Sequence, residues 1–533
     1  MTRRRRWIGS APKNGAHVSQ PSGEDNKTPA REIIAEYALD HFHYFRTSSG
    51  TAYAQRKGSP IARPLRSQGT TGSHRQELML DMYNEGMGLF SGTSMKEALD
   101  FIEALTLARD VREVCIRVGP CKKTENVTWL DLGRDDGLSV RISTDGWQVR
   151  KPEYDEVIWR RTQLVGELPM PEVDQDMKGI DRLWNLCNFV DAGSSTLALV
   201  WLLACLDPNV PVPAAFLTGP MGAGKSTAGR MLTRVIEGMS SDLRTPPRGE
   251  EQLTVVASAG WVMPLDNLSH LGAEMSDAYA RVVTGSEDLK RQLHTDGDVV
   301  RLAVRRPVLL TGIDVGVIRS DLGERLLLLK LDRPKNRRSE RELWSEYAEA
   351  LPSILGSLLD VVVAVRKQEA EVPADLRMAD FGQLCLQLDK AYSLGAMLAY
   401  RASIDDITDD VIEGDNLAQL VLRYAASEVM EQAGGEIRMS STEWLSVLNR
   451  FAFGDFQTPP KGWPTTGKVL SDRLKRLQPT LAARGVKIES GRRSRHEDPN
   501  RSRYIEISRI TGASIPEQAG PATEQTEFPA TAS

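Results

Sequence analysis

The sequence has few cysteines, no long apolar run and no marked surplus of one charge. Its 533 residues include five cysteines, none in a C-x-x-C pair, which excludes a disulfide framework and is typical of a reducing cytoplasm. The longest apolar run, Leu197 to Leu206, is too short to cross a bilayer, and no signal-peptide stretch follows the basic start. With 67 basic and 72 acidic residues, the net charge of −5 indicates no particular partner. These absences predict a cytoplasmic protein with no membrane partner.

One motif indicates a specific chemistry. The octet Gly219-Pro220-Met221-Gly222-Ala223-Gly224-Lys225-Ser226, followed by Thr227, has the form G-x-x-x-x-G-K-S. An apolar strand pattern precedes it and a helical pattern with Met231, Leu232 and Ile236 on one side follows. In this setting backbone N–H groups converge on phosphates, the lysine reaches the β- and γ-phosphates, and the serine hydroxyl binds Mg²⁺. The octet therefore predicts a site for ATP and Mg²⁺.

A second acidic position is expected at a strand end, where it would hold the magnesium water shell. Asp266 ends the run from Trp261 and is the candidate, although Pro264 is unusual for a central strand. The next residue is Asn267 and not the glutamate that orients water in related ATPases, and Glu274 is a weaker candidate base. Binding of the triphosphate is thus predicted more firmly than its hydrolysis.

Further candidate functional residues follow Asp266 along the chain. Lys290, Arg291 and His294 flank a hairpin predicted at Asp296-Gly297. The strand that begins at Pro307 carries two candidate γ-phosphate sensors, Thr311 and Asp314. Arg325 precedes a last apolar strand, where it could act on a neighbouring subunit's nucleotide or pair with Asp321 and Glu324.

This order of motifs resembles the superfamily 3 helicase core, and more narrowly the helicase–primase-type, AAA+-like ATPases of phages and mobile elements, including actinobacterial "ATP-binding" proteins of integrated elements. The resemblance covers about 180–430 well and 30–175 only weakly. It implies a homo-oligomeric ring, usually a hexamer, around single-stranded DNA. It also implies that Lys225 and Ser226 bind phosphate and magnesium, that Asp266 is the Walker B acid and Arg325 the trans arginine finger, and that the hairpin of Lys290, Arg291 and His294 faces DNA.

The C-terminal part is basic and has the pattern of a winged helix. Residues 461–510 hold 13 Lys and Arg against five Asp and Glu. A helix over 464–483 combines an apolar stripe (Val469, Leu470, Leu474, Leu477 and Leu481) with basic residues, and a loop between two strands is rich in arginine. A helix and a wing that are both basic predict binding to duplex DNA, whereas a solvated basic face is the alternative. The candidate contacts are Lys468, Arg473, Lys475, Arg476, Arg492, Arg493, Arg495, Arg501 and Arg503.

The sequence of the N-terminal part predicts strands but shows no pattern of catalytic residues. His41 and His43 are predicted to share a face of a hairpin strand, without a third metal ligand. Alternating runs over 114–118, 128–132, 138–142, 147–150 and 157–161, with Asp136-Gly137 and Asp145-Gly146 turns, predict an antiparallel sheet.

The predicted fold class is α/β, a P-loop ATPase core with an N-terminal α+β domain and a C-terminal winged helix. The predicted segments are a disordered basic tail (1–30), an accessory α+β domain (31–175), the ATPase core (176–335), a helical domain (336–432), the winged helix (433–511) and a disordered tail (512–533). The predicted function is a DNA-dependent, helicase-like ATPase. The alternatives are an ATP-switched DNA-binding initiator or regulator with slow hydrolysis and, with less support, a small-molecule phosphotransferase.

Overall fold

A computed structural model of the chain describes residues 28–66, 73–174, 176–268, 271–285, 287–291, 299–303, 305–312, 320–335, 338–454, 459–460, 463–493, 498 and 502–510. In 287–291 and 299–303 the description covers the course of the backbone alone. The tails predicted over 1–30 and 512–533 lie outside the described residues, apart from 28–30, which lead into the first helix.

The first unit packs helices onto a small sheet. Its elements are α1 (Ala30–His41), β1 (Phe42–Arg46), β2 (Ala52–Arg56), β3 (Ile61–Pro64), α2 (His74–Asn84) and α3 (Gly92–Thr106). The predicted hairpin is confirmed, since β1 and β2 pair in antiparallel register. The predicted strand position of His41 is wrong, because this residue ends α1 and its Nδ1 lies 2.8 Å from the carbonyl oxygen of Tyr37. His41 and His43 therefore do not share a strand face.

The second sheet is an antiparallel meander. It contains β4 (Val118–Pro120), β5 (Thr128–Asp131), β6 (Ser139–Ser143) and β7 (Gly146–Arg150), and is followed by β8 (Trp159–Arg160), which joins the first sheet beside β3. The predicted turns are confirmed at Gly137 and Gly146, which have φ of 77° and 145°. The strand predicted over 114–118 is wrong in its start, because Arg117 has a left-handed φ of 60° and turns the chain just before β4.

A parallel sheet occupies the centre of the chain. The elements around it are α4 (Lys178–Leu186), α5 (Ala192–Cys205), β9 (Ala214–Thr218), α6 (Lys225–Glu237), α7 (Glu250–Ala259), β10 (Met263–Leu268), α8 (Ala273–Thr284), β11 (Glu287–Arg291), β12 (Val299–Ala303), β13 (Val308–Gly312), α9 (Ser320–Gly323) and β14 (Leu326–Lys330). The strand order is β10-β13-β9-β14, and each neighbouring pair is parallel. The chain leaves β9 towards one side of the sheet and returns as β14 on the other, which opens a crevice at the carboxyl end of β9.

Pro264 lies where this sheet can accept it. On one side β10 pairs with β13, while on the other it meets a single bridge, between Leu265 and Arg244. On that outer side the amide of Arg244 donates to Pro264 O (3.1 Å) and the amide of Asp266 donates to Arg244 O (2.8 Å). The missing N–H of Pro264 therefore falls on the side with almost no ladder, as in an edge strand.

Helices cover the sheet after β14. They are α10 (Glu340–Arg366), α11 (Ala379–Tyr392), α12 (Ala396–Glu413), α13 (Asn416–Ala426) and α14 (Glu428–Gln432). A capping box of Ser339 and Glu342 starts α10, and its apolar residues Leu355, Leu358 and Val362 are buried. By length and composition α10 could cross a bilayer, but 67% of its apolar window is buried inside the molecule, as in a core helix.

The C-terminal part combines two helices with a small sheet. Its elements are β15 (Glu436–Met439), α15 (Ser441–Phe453), α16 (Gly467–Ala483), β16 (Val486–Arg492) and β17 (Arg503–Arg509), with an antiparallel strand order of β15-β17-β16. The predicted stripe of α16 is confirmed for Leu470, Leu474, Leu477 and Leu481, which are buried. It is wrong for Val469, which is 45% exposed because it lies one residue off the buried face.

The second sheet and the parallel sheet share one apolar core. Leu130, Val140 and Ile142 belong to the same continuous cluster as β9, β13 and α10, whereas the first unit has a cluster of its own and a small one shared with Ile158. A buried ion pair also joins them: Nε of Arg117 lies 3.5 Å from Oε2 of Glu237 at the end of α6. Residues 31–175, predicted as one accessory domain, thus contribute to more than one core.

Candidate nucleotide-binding site

The phosphate loop crosses from the carboxyl end of β9 to the first turn of α6. Gly219, Gly222 and Gly224 all have positive φ, of 149°, 83° and 80°. A Cβ at Gly219 would lie 2.2 Å from the carbonyl oxygen of Leu331, so this position needs glycine. Around Gly222 the space is open, with no atom within 4 Å of such a Cβ. The loop can therefore receive phosphate at the N-terminus of α6, as its sequence predicts.

Lys225 lies folded over the loop. Its Nζ donates to Gly219 O at 2.7 Å and to Pro220 O at 3.1 Å. Phosphate oxygens are charged acceptors and form stronger hydrogen bonds with an ammonium group than backbone carbonyls do. Lys225 can thus exchange these carbonyls for the phosphates of a bound nucleotide. The helix behind it is fixed, because Met231, Leu232 and Ile236 are buried as predicted.

Three side chains from separate elements meet beside the loop. The hydroxyl of Ser226 donates to Oδ1 of Asp266 at 2.8 Å, and the hydroxyl of Thr311 donates to the same oxygen at 2.6 Å. Asp266 comes from β10 and Thr311 from β13, the strand between β10 and β9. A serine hydroxyl and a carboxylate are oxygen ligands of the kind Mg²⁺ takes, so the residues present fit a magnesium ion with its water shell.

Asn267 takes part through its backbone. Its φ is 59°, in the left-handed region, and its amide donates to Oγ1 of Thr311 at 2.9 Å. Thr311 therefore accepts from Asn267 while it donates to Asp266, which fixes the end of β10 against β13. The other candidate base, Glu274, lies in the first turn of α8 and is exposed. The second sensor candidate, Asp314, lies outside the described residues.

Arg333 is a residue at the site that the sequence patterns did not single out. It follows β14, is exposed, and donates from Nε to the carbonyl oxygen of Met221 at 3.1 Å. Nearby, the amide of Asp332 donates to the carbonyl oxygen of Asn188 at 2.8 Å. Arg333 thus places a guanidinium against the phosphate loop. Its only signal in the sequence is a basic residue three positions after the end of a strand next to β9.

Arg325 lies at the end of the sheet where β14 begins, opposite the end that carries the phosphate loop. It precedes β14, whose register pairs Leu326 with Ala214 and Lys330 with Thr218, so five residues, roughly 16 Å of strand, separate it from the loop end. Arg325 is 7% exposed, and its carbonyl oxygen accepts from the amide of Ala214 at 2.8 Å. The structure does not bring it to the loop of its own chain, and its action in trans stays a prediction. Glu324 pairs with Arg377 at 3.9 Å.

The candidate DNA contacts fall in two places. Lys290 and Arg291 lie on β11, which pairs with β12 as the predicted hairpin, while His294 lies outside the described residues. On α16, Lys468, Lys475 and Arg476 are exposed. Arg473 differs from them, because its Nη2 pairs with Asp415 at the start of α13 (3.0 Å).

The strands after α16 carry further candidates. Arg492 and Arg503 face each other at the ends of β16 and β17, and both are exposed. Arg493 is half-buried, and Arg495 and Arg501 lie outside the described residues. The role of all these residues in DNA binding stays a prediction.

The curated relatives of this chain include shikimate kinases. The shikimate kinase of Shewanella oneidensis is 31% identical over 173 residues, which span 30% of this chain and 91% of that protein. The shikimate kinase of Shewanella denitrificans is 29% identical over 180 residues, 31% of this chain and 95% of that protein. Part of the chain is thus similar in sequence to nearly complete P-loop kinases, which supports a P-loop core.

A solved structure of the NrS-1 C-terminal region overlaps 90% of this chain and 100% of its own, with 9% identity and a TM-score of 0.37. At that score the likeness does not define the fold.

Family models match most of the chain. The model of the actinomycete integrative conjugative element replication protein matches residues 180–410. The N-terminal domain model of such proteins matches 31–108, and their RepA C-terminal domain model matches 417–523. The predicted resemblance to ATPases of mobile elements is confirmed at the level of the family. The chain belongs to the replication proteins of actinomycete integrative conjugative elements.

Proposed function

We propose that this protein is a DNA-dependent ATPase, an oligomeric, helicase-like replication motor of a mobile element. One observation carries the proposal: Ser226 and Thr311 both donate to Oδ1 of Asp266 beside an intact phosphate loop. A phosphate cradle, a metal-binding hydroxyl and an acidic strand end are the parts of a P-loop nucleotide hydrolase. The family assignment supplies the replication context.

Each residue has a definable task in this proposal. The loop amides and Lys225 bind and orient the triphosphate, and Lys225 compensates its charge. Ser226 and Asp266 would hold Mg²⁺, which neutralises charge on the phosphates when bound. Thr311 fixes the carboxylate of Asp266, and Arg333 adds a second cation at the loop.

The C-terminal topology supports a DNA-binding winged helix. Apart from the five-residue α14, a helix (α13), a short strand (β15), two helices (α15 and α16) and a two-stranded wing follow in the order of that fold. The exposed cations of α16 and of the β16–β17 ends lie on the elements that contact a major groove and the backbone in such modules. The β11–β12 hairpin is the proposed contact for single-stranded DNA in the pore of a ring.

A ring, with a hexamer favoured, is proposed from the predicted trans role of Arg325. Because Arg325 is buried within its own chain, that role requires the turn between α9 and β14 to open at a subunit contact. Loss of hydrolysis without loss of ATP binding in Arg325→Ala would support the trans role. Loss of folding would instead assign Arg325 to the core.

A second candidate is an ATP-switched initiator that hydrolyses slowly. Asn267 favours it, because the position next to Asp266 carries an amide and not a water-orienting carboxylate. Phosphotransfer to a small molecule is a third candidate, supported by the similarity to shikimate kinases.

One experiment separates the three. ATP hydrolysis is measured with and without single-stranded DNA, alongside native mass with and without ATP. A motor gives hydrolysis that DNA stimulates and Lys225→Ala abolishes, together with an oligomer. An initiator gives ATP-dependent assembly with little turnover. Turnover that rises with a hydroxylated small acceptor such as shikimate, and not with DNA, would overturn the proposal.

A further inference from the structure

A large cleft opens in the N-terminal half, away from the nucleotide site. Its volume is about 1060 Å³, and it runs between the β2–β3 side of the first sheet and the loops after β5 and β8. The cationic residues that line this N-terminal basic cleft are Arg56, Lys57, Arg63, Lys151, Arg160 and Arg161. No residue of the phosphate loop lines it.

The cleft carries an excess of positive charge. Against its six cations it has three carboxylates, Glu77, Asp135 and Asp136. Glu77 is already engaged, by Arg56 at 3.3 Å and Arg63 at 3.0 Å. Asp136 is held by Arg134, outside the lining, at 3.1 Å. Two of the three acidic groups of the cleft thus form ion pairs with nearby arginines.

Three of the six cations of the cleft form no ion pair with a described residue. Arg161 is fixed at 2.7 Å by Asp131, which is buried. For Lys57, Lys151 and Arg160, by contrast, the described part of the chain supplies no ion pair within 4 Å. Both lysines are exposed and Arg160 is half-buried. Uncompensated cations grouped on one concave surface attract a polyanion.

The rest of the lining indicates which part of a polyanion would bind. Ser59 and Gln163 offer hydrogen bonds, and Gly58, where an added Cβ would meet no atom within 4 Å, lets a ligand approach the backbone closely. None of the described lining residues is aromatic, so the cleft has no platform on which bases could stack. Cations and small polar groups without rings suit phosphate contacts that do not depend on sequence.

We infer that the N-terminal basic cleft binds the phosphodiester backbone of nucleic acid. It is a DNA contact additional to the hairpin and the C-terminal module. The inference rests on the proposed function only in naming DNA as the polyanion. Single-stranded and duplex DNA share the backbone chemistry, and the test has an arm for each.

The test is a salt titration of DNA binding by the full chain. A fluorescent oligonucleotide, single-stranded or duplex, is bound by the wild type and by Lys57→Gln/Lys151→Gln/Arg160→Gln. Each lost phosphate contact reduces the magnitude of the negative slope of log K against log salt by about 0.7 for single strands and 0.9 for duplex. With the strand that occupies the cleft, the magnitude should therefore fall by about 2 for single-stranded DNA or about 2.7 for duplex, and affinity at about 50 mM salt by tenfold or more.

A matched control is Lys96→Gln on α3. Lys96 is exposed in the same unit, lies outside the cleft, and should leave the slope unchanged. An unchanged slope in the triple variant, with both DNA forms, would overturn the inference. The thermal midpoint of the triple variant shows whether that protein folds. If it does not fold, the single variant Lys151→Gln is titrated in its place, and the magnitude of the slope should then fall by about 0.7–0.9.

Failure of the inference is distinct from failure of the proposed function. If the wild type binds DNA and the triple variant binds it identically, the cleft alone is refuted. If the wild type binds neither DNA form, the DNA dependence of the ATPase is refuted as well. Basal ATP hydrolysis should be equal in all variants, because the cleft and the nucleotide site share no residue.

Discussion

At the scale of single residues, Oδ1 of Asp266 is the junction of the nucleotide site. Two hydroxyls from different elements donate to it, so the carboxylate is held in one orientation before any ligand arrives. From the described residues its Oδ2 receives no hydrogen bond. Preorganised carboxylates of this kind bind a hydrated cation without first rearranging. Ser226 would exchange its bond to Asp266 for the metal, while Thr311 keeps the carboxylate in place.

The left-handed φ of Asn267 explains why this position departs from the pattern of related ATPases. Asparagine tolerates that region better than other residues with a Cβ, whereas glutamate there costs about 1 kcal/mol. We therefore predict that Asn267→Glu lowers the thermal midpoint by about 2–4 °C and does not raise ATP turnover.

The control for that substitution is Asn267→Gly, which accepts the same φ and should keep the wild-type midpoint. Thermal melting and steady-state ATP hydrolysis measure both variants. A tenfold gain of turnover in Asn267→Glu would show that the backbone does not restrict this position.

At the scale of elements, the basic residues of α16 fall into two groups, those exposed to solvent and one that forms an ion pair with another helix. Lys475 and Arg476 are exposed, but Arg473 is paired with Asp415 at 3.0 Å, with both side chains about a quarter exposed (26% and 22%). We predict that Lys475→Gln/Arg476→Gln lowers the slope of log K against log salt for duplex DNA by about 2 and leaves stability unchanged.

Arg473→Gln is the matched comparison on the same helix. It should destabilise the C-terminal module by about 1 kcal/mol, because the pair joins α16 to α13, and change the slope by less than 1. Thermal melting and a DNA salt titration measure the two effects. Equal slope losses per residue in both variants would contradict this division.

Elements with strong local signals were predictable. The phosphate loop, Asp266, the Asp-Gly turns and the leucine stripe of α16 each depend on neighbouring residues alone. Val469, His41 and the start of β4 were mispredicted, because helix phase, a helix end and a left-handed residue depend on the surrounding fold. Arg333 was missed for a similar reason. Its partner Met221 lies 112 residues away, beyond any local pattern.

At the scale of the whole molecule, Arg117 links the second sheet to the ATPase core. It is fully buried and donates to the carbonyl oxygens of Asp131 (2.6 Å) and Glu237 (2.7 Å). Oε1 of Glu237 in turn accepts from the amides of Trp261 and Val262, each at 2.7 Å, just before β10. One buried pair thus joins β4, the end of α6 and the strand that carries Asp266.

We predict that Arg117→Met or Glu237→Gln alone destabilises the protein by about 3–5 kcal/mol, because each leaves a buried partner uncompensated. The double variant should be less destabilised than the sum of the single ones, since the two residues share one network. Urea unfolding, followed by tryptophan fluorescence, measures the three variants. Losses below about 1 kcal/mol in both single variants would show that the pair is not a structural link.

The shared core also determines where such a chain can be recombined. A junction between α3 and β4, near residue 110, leaves that large cluster whole and divides only a small one, in which Phe45, Tyr53 and Ala62 meet Ile158 beside the short pairing of β3 with β8. A junction near 176 instead divides one cluster, so the incoming sheet must match β9 and α10 side chain by side chain. Exchange of N-terminal segments between mobile elements should therefore be tolerated better at the first position, where only a small contact must match, than at the second.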